Sequence, residues 1–127
     1  MSRHTDQIQS ITQTLEDYFA GIYEGDTDKL EAVFLPESSL FSTTDGPLTA
    51  LAIADYLDIV RNRPSPASTG AVNTDIIYSI DIAAPEMALA KVGLSIPPKF
   101  FTDYLTLLKV DGRWRIAAKA FTYRVEN

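Results

Sequence analysis

Asp103 is the residue of this sequence that is best placed to do chemistry. In a strand-like run of residues, alternation puts it on the same face as Phe101, Leu105 and Leu107. Apolar surroundings disfavour the charged form of a carboxylate, which suits a general acid or base. The alternative is an aspartate near the solvated end of a strand, paired with a lysine or capping a loop.

Lys119 is a second polar residue in an apolar run, with alanines at positions 117, 118 and 120. Its long side chain could bring the ammonium group to Asp103 or to an anionic ligand. Unless a β-bulge shifts the register, Trp114 and Lys119 cannot both face the interior, and the sequence favours Lys119 at the solvent or dimer face. Strict alternation divides this strand between two faces: one carries Trp114, Ile116, Ala118 and Ala120, and the other carries Lys119, Phe121 and Tyr123.

Tyrosines are further candidates for ligand contacts, because a buried hydroxyl needs a hydrogen-bond partner. We expect Tyr18 and Tyr56 on the buried faces of helices and Tyr78 on the sheet, where the three could surround a pocket for a flat polar ring. The alternative is core packing with the hydroxyls reaching the surface. Trp114 is expected in the core beneath the pocket, and a stacking platform for a ligand is its alternative role.

The composition excludes several kinds of site. Without cysteine there can be no disulfide, thiolate metal site or catalytic cysteine. The sole histidine, His4, is expected in a loose segment ahead of the first helix, so neither a zinc site nor a His–Asp pair is expected. There is also no glycine-rich phosphate loop. We therefore predict a protein that uses no metal and no cofactor.

The charge and hydrophobicity of the chain bear on its partners and location. A net charge of -6, from 17 acidic and 11 basic residues, argues against nucleic acid, which needs a concentrated basic face. No stretch approaches the roughly 18 consecutive apolar residues typical of a membrane helix. The first residues lack an apolar signal core. We expect no membrane association and a cytoplasmic location.

The hydrophobic period changes from helical to strand-like at residues 63–70, a loop rich in proline, serine and glycine. Before the loop, the sequence predicts a long helix over residues 8–23, a short helix ended by Pro36, a small hairpin around Asp45-Gly46 and a helix over residues 53–60. After it, alternation predicts strands over residues 72–83, 87–96, 101–110 and 113–125. Their short connections require an antiparallel meander, and the helices must pack on it, so the 127 residues form one α+β domain.

Two segments resemble the nuclear transport factor 2 superfamily. Tyr18-Phe19, Gly25-Asp26 and Pro36 are similar to its opening. Residues 103–116, which read DYLTLLKVDGRWRI and continue to Lys119, are similar to the closing strands of the branch called "putative lumazine-binding", whose relatives include the polyketide-cyclase-like (SnoaL-like) proteins. The resemblance covers nearly the whole chain. It implies a cone-shaped fold in which a curved antiparallel sheet wraps around three N-terminal helices and leaves a conical pocket.

The resemblance leaves three functions open, because the superfamily includes isomerases, dehydratases, cyclases and epoxide hydrolases beside non-catalytic modules. The first is a small-ligand-binding protein with a mainly apolar pocket. The second is a cofactor-independent isomerase, dehydratase or cyclase, in which Asp103 moves a proton and a tyrosine hydroxyl stabilises an enolate. The third is a non-catalytic dimeric interaction module whose pocket is filled by its own side chains. The candidate ligand contacts are Tyr18, Tyr56, Tyr78, Asp103 and Trp114.

A homodimer through the outer face of the sheet is the expected assembly. A sheet that is covered by helices on one side should be polar on the other. Here Tyr104, Leu108 and Val110 alternate against Leu105 and Leu107, so both faces are apolar. A second subunit is the commonest way to cover such a face.

Overall fold

Three helices in the first half of the chain are separated by local sequence signals. The computed structural model describes residues 3–126, with side chains from residue 6 onward. Gly25 ends the first helix with a φ of 68°. Asp26 begins the second, because its carboxylate accepts hydrogen bonds from the backbone N–H groups of Asp28 and Lys29 at 3.0 and 3.2 Å. The helices are α1 Arg3–Glu24, α2 Thr27–Val33 and α3 Ile53–Asn62.

Six strands form one curved sheet against these helices. They are β1 Phe34–Ser42, β2 Thr49–Ala52, β3 Ile76–Ala84, β4 Met87–Ile96, β5 Lys99–Val110 and β6 Arg113–Val125. Their order across the sheet is β2-β1-β6-β5-β4-β3. Strands β1 and β6 are parallel, and the other neighbouring pairs are antiparallel. The predicted α+β class and the meander of β3 to β6 are therefore confirmed.

Several boundaries differ from the prediction. Helix α2 ends at Val33, and Pro36 lies inside β1, where the pairing with β6 is interrupted between Phe34 and Ser39. Proline has no N–H to donate, so an interrupted stretch of ladder is a place where it is tolerated. Helix α1 begins at Arg3, so the backbone of His4 lies in its first turn and not ahead of it; its side chain is outside the described ones.

The second half of the chain differs less from the prediction. Strand β3 begins at Ile76 and not at residue 72, and a short 3₁₀ helix, Ala67–Thr69, lies in the predicted loop. Within residues 3–126, no helix has the length and hydrophobicity to cross a membrane.

A β-bulge in β6 controls which residues of that strand face the helices. Thr106 pairs with Ala118 and the next residue of β5, Leu107, pairs with Ile116, so Ala117 has no partner on β5. The extra residue reverses the alternation of β6 along its length. Trp114 and Ile116 point inward before the bulge, and Lys119 points inward after it.

Two hydroxyl groups satisfy backbone carbonyls beside this bulge. Thr14 on α1 donates from Oγ1 to the carbonyl oxygen of Trp114 at 3.0 Å. Ser38 on β1 donates from Oγ to the carbonyl oxygen of Ile116 at 2.6 Å. Both hydroxyl groups therefore give a hydrogen bond to a buried backbone carbonyl, a group that needs a partner when it is removed from water. Side chains from the first half of the chain therefore stabilise the irregular part of β6.

Candidate functional site

A cavity of about 190 Å³ lies between the inner face of the sheet, α3 and the β1–β2 hairpin. An apolar cavity of about 150 Å³ can hold a benzene ring, so this one has room for a single ring with small substituents. Its walls are mainly hydrophobic and include Ile22, Leu51, Ile59, Leu94, Ile96, Phe101 and Phe121.

Three polar side chains meet at the closed end of the cavity. Tyr18 comes from α1, Asp103 from β5 and Lys119 from β6. The Tyr18 hydroxyl donates to Asp103 Oδ2 at 2.6 Å, and Lys119 Nζ donates to the Tyr18 oxygen at 2.7 Å. Lys119 Nζ also lies 3.7 Å from Asp103 Oδ2, which makes an ion pair. We refer to these three residues as the buried triad.

The buried triad is removed from solvent. Tyr18 and Asp103 have no exposed surface, and Lys119 is 5% exposed. Asp103 and Lys119 both border the cavity. Asp103 Oδ1 has no hydrogen-bond partner among the described residues, which is uncommon for a buried carboxylate oxygen. This buried oxygen therefore has an unused position for a hydrogen-bond donor.

The protonation state of Tyr18 follows from its surroundings. Burial raises the pKa of its hydroxyl well above the usual range, and the negative charge of Asp103 raises that pKa further. The positive charge of Arg63 acts in the opposite direction with a smaller effect. The hydroxyl therefore keeps its proton at neutral pH and holds the Asp103 carboxylate in one orientation.

Aromatic rings surround the ammonium group of Lys119. Its Nζ lies 5.0 Å from the ring centre of Tyr56 and 5.3 Å from those of Tyr18 and Phe121. Ring faces attract a cation within about 6 Å, and the attraction is larger where water is excluded. Tyr56 also contacts Arg63, whose guanidinium carbon is 5.7 Å from its ring centre.

The mouth of the cavity is polar. It is bordered by Asp45 in the β1–β2 turn, by Arg63 directly after α3, and by Lys99 at the start of β5. The Tyr123 hydroxyl donates to Asp45 Oδ1 across the mouth. Lys99 Nζ lies 4.2 Å from the ring centre of Tyr123. These contacts connect the hairpin turn to the end of the sheet.

The structure brings together some of the residues that the sequence suggested and separates others. Asp103 and Tyr56 border the cavity, and Tyr18 lies directly behind Asp103. Tyr78 does not: it is 47% exposed on the outer face of the sheet, beside Lys91. A register shift at Tyr78 in its pairing with β4 accompanies this position. Trp114 is buried in the core and does not border the cavity.

The expectation that Lys119 lies at the solvent or dimer face is wrong. The bulge at Ala117 turns Lys119 inward, so that Trp114 and Lys119 both face the interior. The same bulge separates Trp114 and Ile116 from Ala120, which is exposed on the other side of the sheet. Strict alternation therefore fails at this one residue.

Other residues of the site were not anticipated as site residues. Phe121, Tyr123, Lys99, Arg63 and Asp45 all border the cavity. Phe121 and Tyr123 lie on the same face of β6 as Lys119. If Lys119 had been predicted to face the cavity, alternation would have predicted the same for these two residues. Arg63 and Lys99 each lie next to a proline in a connection between elements, where the sequence pattern does not show which way a side chain points.

Comparison with known proteins identifies the family and the fold. The chain is 24% identical over 125 residues to "Aldolase FrzH" of Cladobotryum sp, covering 95% of this chain and 96% of that protein. A nuclear transport factor 2-like protein of unknown function from Shewanella baltica has a TM-score of 0.85 and 26% identity, over 98% of both chains. Another from Silicibacter pomeroyi has a TM-score of 0.82 and 23% identity, over 98% of this chain and 100% of that one.

The sequence profile of one protein family, described as "Putative lumazine-binding", matches residues 6–122. This match runs from α1 into β6 and includes all three residues of the buried triad. The chain therefore belongs to the "Putative lumazine-binding" family of the nuclear transport factor 2-like superfamily.

Proposed function

We propose that this protein binds a small organic molecule in the cavity, with Asp103 as the group that orients it. The observation that carries the proposal is that Asp103 borders a mainly apolar cavity while its Oδ1 has no hydrogen-bond partner among the described residues. Ligand pockets typically combine apolar walls with a few fixed polar groups. A ligand that donates one O–H or N–H to Asp103 and packs a ring against Phe101 and Phe121 meets both conditions.

The other two members of the buried triad support this role by fixing the carboxylate. Tyr18 and Lys119 hold Oδ2, so Oδ1 keeps a constant direction. A group that is already ordered loses little entropy when the ligand binds. The presence of a cavity with a polar end favours ligand binding over an interaction module whose pocket is filled by its own side chains.

A pair of isosteric probes tests the proposal. 4-Methylphenol carries a hydroxyl donor where 1,4-dimethylbenzene carries a methyl group. Wild-type protein should bind the phenol at least about tenfold more tightly, because a hydrogen bond to a charged group contributes about 1.5–3 kcal/mol. Isothermal titration measures both affinities. Equal affinities, or no binding of either probe, would contradict the proposal.

A matched pair of variants assigns the preference to the buried triad. In Tyr18→Phe/Asp103→Leu/Lys119→Met the polar groups are replaced together, which avoids leaving one buried charge alone. The phenol should then bind no better than the hydrocarbon. The control, Tyr104→Phe/Asp81→Leu/Lys109→Met, makes the same changes at exposed positions and should keep the preference.

A second candidate is a cofactor-independent enzyme, and the contact between Asp103 and Lys119 favours it. Asp103 Oδ1 could remove a proton from the carbon next to a carbonyl group, and the Lys119 ammonium could stabilise the enolate oxygen. The proton would return to the same or another carbon. The similarity to a protein named an aldolase fits this class, because aldol chemistry proceeds through an enolate equivalent.

Hydrogen–deuterium exchange tests the catalytic candidate without knowledge of the substrate. Cyclohexanone is a single six-membered ring, for which the cavity of about 190 Å³ has room, and its α-protons exchange slowly in D₂O. Wild-type protein should accelerate this exchange, and Asp103→Asn and the triple variant of the buried triad should not. An equal rate in all three proteins would leave Asp103 without a catalytic role.

We also propose a homodimer through the outer face of the sheet. Large apolar residues are 37–50% exposed there on three adjacent strands. They are Ile76, Tyr78, Met87, Leu89, Tyr104 and Val110. An exposed apolar patch of several neighbouring residues is typical of a protein–protein interface. Sedimentation should give twice the 14.0 kDa of one chain, and Tyr104→Glu should shift the species toward the monomer. A wild-type monomer at micromolar concentration would contradict this.

A further inference from the structure

The cavity carries positive charge in a chain that is acidic overall. The chain has a net charge of -6. The charged side chains around the cavity have the opposite balance, with three cations and two anions: Arg63, Lys99, Lys119, Asp45 and Asp103. A local excess of one sign in a concave site attracts ligands of the other sign.

The positive excess belongs to the mouth and not to the closed end. Lys119 and Asp103 neutralise each other at 3.7 Å. Arg63 and Lys99 have no carboxylate oxygen within 4.0 Å among the residues whose side chains are described. Arg61, two residues before Arg63, shows the contrast, because it pairs with Asp58 at 2.8 Å.

Both cations at the mouth are restrained by aromatic rings. Arg63 is half-buried against Tyr56, and its Nη2 lies 3.5 Å from the Tyr56 hydroxyl. Lys99 is half-buried over the ring of Tyr123. A stacked guanidinium or ammonium group keeps free donors and loses less entropy when it binds an anion. The N–H donors of Arg63 and Lys99 are therefore held in place and available to bind an anionic group of a ligand.

We propose that the ligand is a small organic carboxylic acid with a second, hydrogen-bond-donating substituent; this rests on the proposed ligand-binding function. Its carboxylate would lie against Arg63 and Lys99, and its donor would reach Asp103. The cavity of about 190 Å³ limits the framework to about one ring. Asp45 at the mouth opposes a dianion such as a phosphate monoester, because it adds a like charge.

Two isosteric probes separate the charge of the ligand from its shape. 4-Hydroxybenzoate and 4-hydroxybenzamide share the phenol donor, and only the first is an anion. Wild-type protein should bind the acid about tenfold more tightly than the amide, through charge-assisted hydrogen bonds. This preference should fall as NaCl is raised, since the mouth is open to solvent. 4-Hydroxyphenyl phosphate should bind more weakly than the acid.

Single substitutions locate the effect at the mouth. Arg63→Gln and Lys99→Gln should each weaken binding of the acid about fivefold to tenfold and leave the amide unchanged. Arg61→Gln is the matched control, an exposed arginine in the last turn of α3 that pairs with Asp58, and should change neither affinity. Circular dichroism checks that each variant is folded.

The outcomes distinguish this inference from the function on which it rests. If the amide binds as tightly as the acid, or Arg61→Gln has the effect of Arg63→Gln, the acid ligand is wrong while ligand binding stands. Tighter binding of the phosphate would also overturn the carboxylate. If 4-methylphenol binds but neither para-substituted probe does, the mouth does not accept such groups and the acid ligand is likewise wrong. If none of these compounds binds, both proposals fail.

Discussion

The inner face of strands β5 and β6 has two halves that meet at the bulge at Ala117. On one side, Leu107, Trp114 and Ile116 are at most 4% exposed and pack into the core. On the other side, Asp103 and Lys119 are buried to a similar degree but border a cavity. The two halves have the same strands, the same neighbouring helix α1 and similar burial.

The difference shows how one inserted residue can separate a core from a site. Before the bulge, even-numbered residues of β6 face inward, and after it odd-numbered residues do. We call the side with Leu107, Trp114 and Ile116 the core half and the side with Asp103 and Lys119 the cavity half. The core half uses large apolar side chains that fill their space. The cavity half uses a lysine whose charge is offset by a carboxylate and three rings, so that the space next to it can stay open.

Insertion of an alanine between Thr106 and Leu107 should have the largest effect, because it offers Ala117 a partner on β5 and makes the pairing of β5 with β6 regular. Either Trp114 and Ile116 or Lys119 and Phe121 would then have to leave the interior. We expect no cooperative unfolding transition in urea, monitored by circular dichroism. Insertion of an alanine after Val72, which is 79% exposed between the 3₁₀ helix and β3, is the control and should leave a cooperative transition. A wild-type midpoint for the insertion in β5 would show that the bulge does not separate the two halves.

Trp114→Ala tests the core half. The indole is 4% exposed and its Nε1 has no hydrogen-bond partner among the described residues, so it acts through packing. Its removal should lower the free energy of unfolding by about 3–5 kcal/mol, as for other buried aromatic residues. The affinity for 4-methylphenol should not change in the folded fraction. Lost binding at unchanged stability would place Trp114 in the cavity half.

Lys119→Met tests the cavity half, and the stability that it loses should depend on whether Asp103 is still present. Removing the ammonium alone leaves the carboxylate of Asp103 buried without its counter-charge, which should cost about 3 kcal/mol. Replacing the whole buried triad, in Tyr18→Phe/Asp103→Leu/Lys119→Met, should recover most of that loss. Urea titrations of both variants measure this. Equal stability of the two would mean that Lys119 and Asp103 do not act as a pair.

The fold was predictable from the sequence because it depends on hydrophobic period. Alternating Ile, Val and Leu residues define β3 to β6, and helical spacing defines α1 and α3, so the α+β class and the strand order of the meander followed. The last hairpin turns at Asp111-Gly112, a dipeptide typical of tight turns, and the two residues adopt φ of 52° and 78°. Each of these signals is local in the sequence.

The site was only partly predictable, because no local sequence signal marks the β-bulge at Ala117. Alanines at positions 117 and 118 are small enough to face either side, so the sequence does not show where alternation breaks. The partners that stabilise the break, Thr14 and Ser38, lie 100 and 78 residues away from the carbonyls that they serve. Asp103 was correctly placed inside because it stands among apolar residues on a regular strand, and Lys119 was misplaced because its strand is irregular.

Because of the Tyr18 hydroxyl, the stability of the protein should fall at alkaline pH. The folded pKa of this hydroxyl is raised above the unfolded value of about 10, so its contribution to stability is complete below pH 10 and is lost as the pH rises toward the folded pKa. The loss is about 1.4 kcal/mol per pH unit. The stability difference between wild type and Tyr18→Phe should therefore shrink above pH 10. A stability difference that stays constant above pH 10 would contradict the raised pKa of Tyr18.

Ser38→Ala should have the smallest effect on stability, and it tests the hydrogen bond beside the bulge that separates the two halves. The Ser38 hydroxyl donates to the carbonyl oxygen of Ile116, directly before the bulge, and is 1% exposed. Without it that carbonyl loses a buried partner, which should lower the free energy of unfolding by about 1 kcal/mol. Ser39→Ala, one residue along on β1, is the control and should change the stability by less than about 0.5 kcal/mol. Because the register itself depends on all of β6, the affinity for 4-methylphenol should fall little in Ser38→Ala. A large loss of affinity at nearly unchanged stability would mean that this single hydrogen bond, and not the packing of Trp114 and Ile116, sets the direction of Lys119.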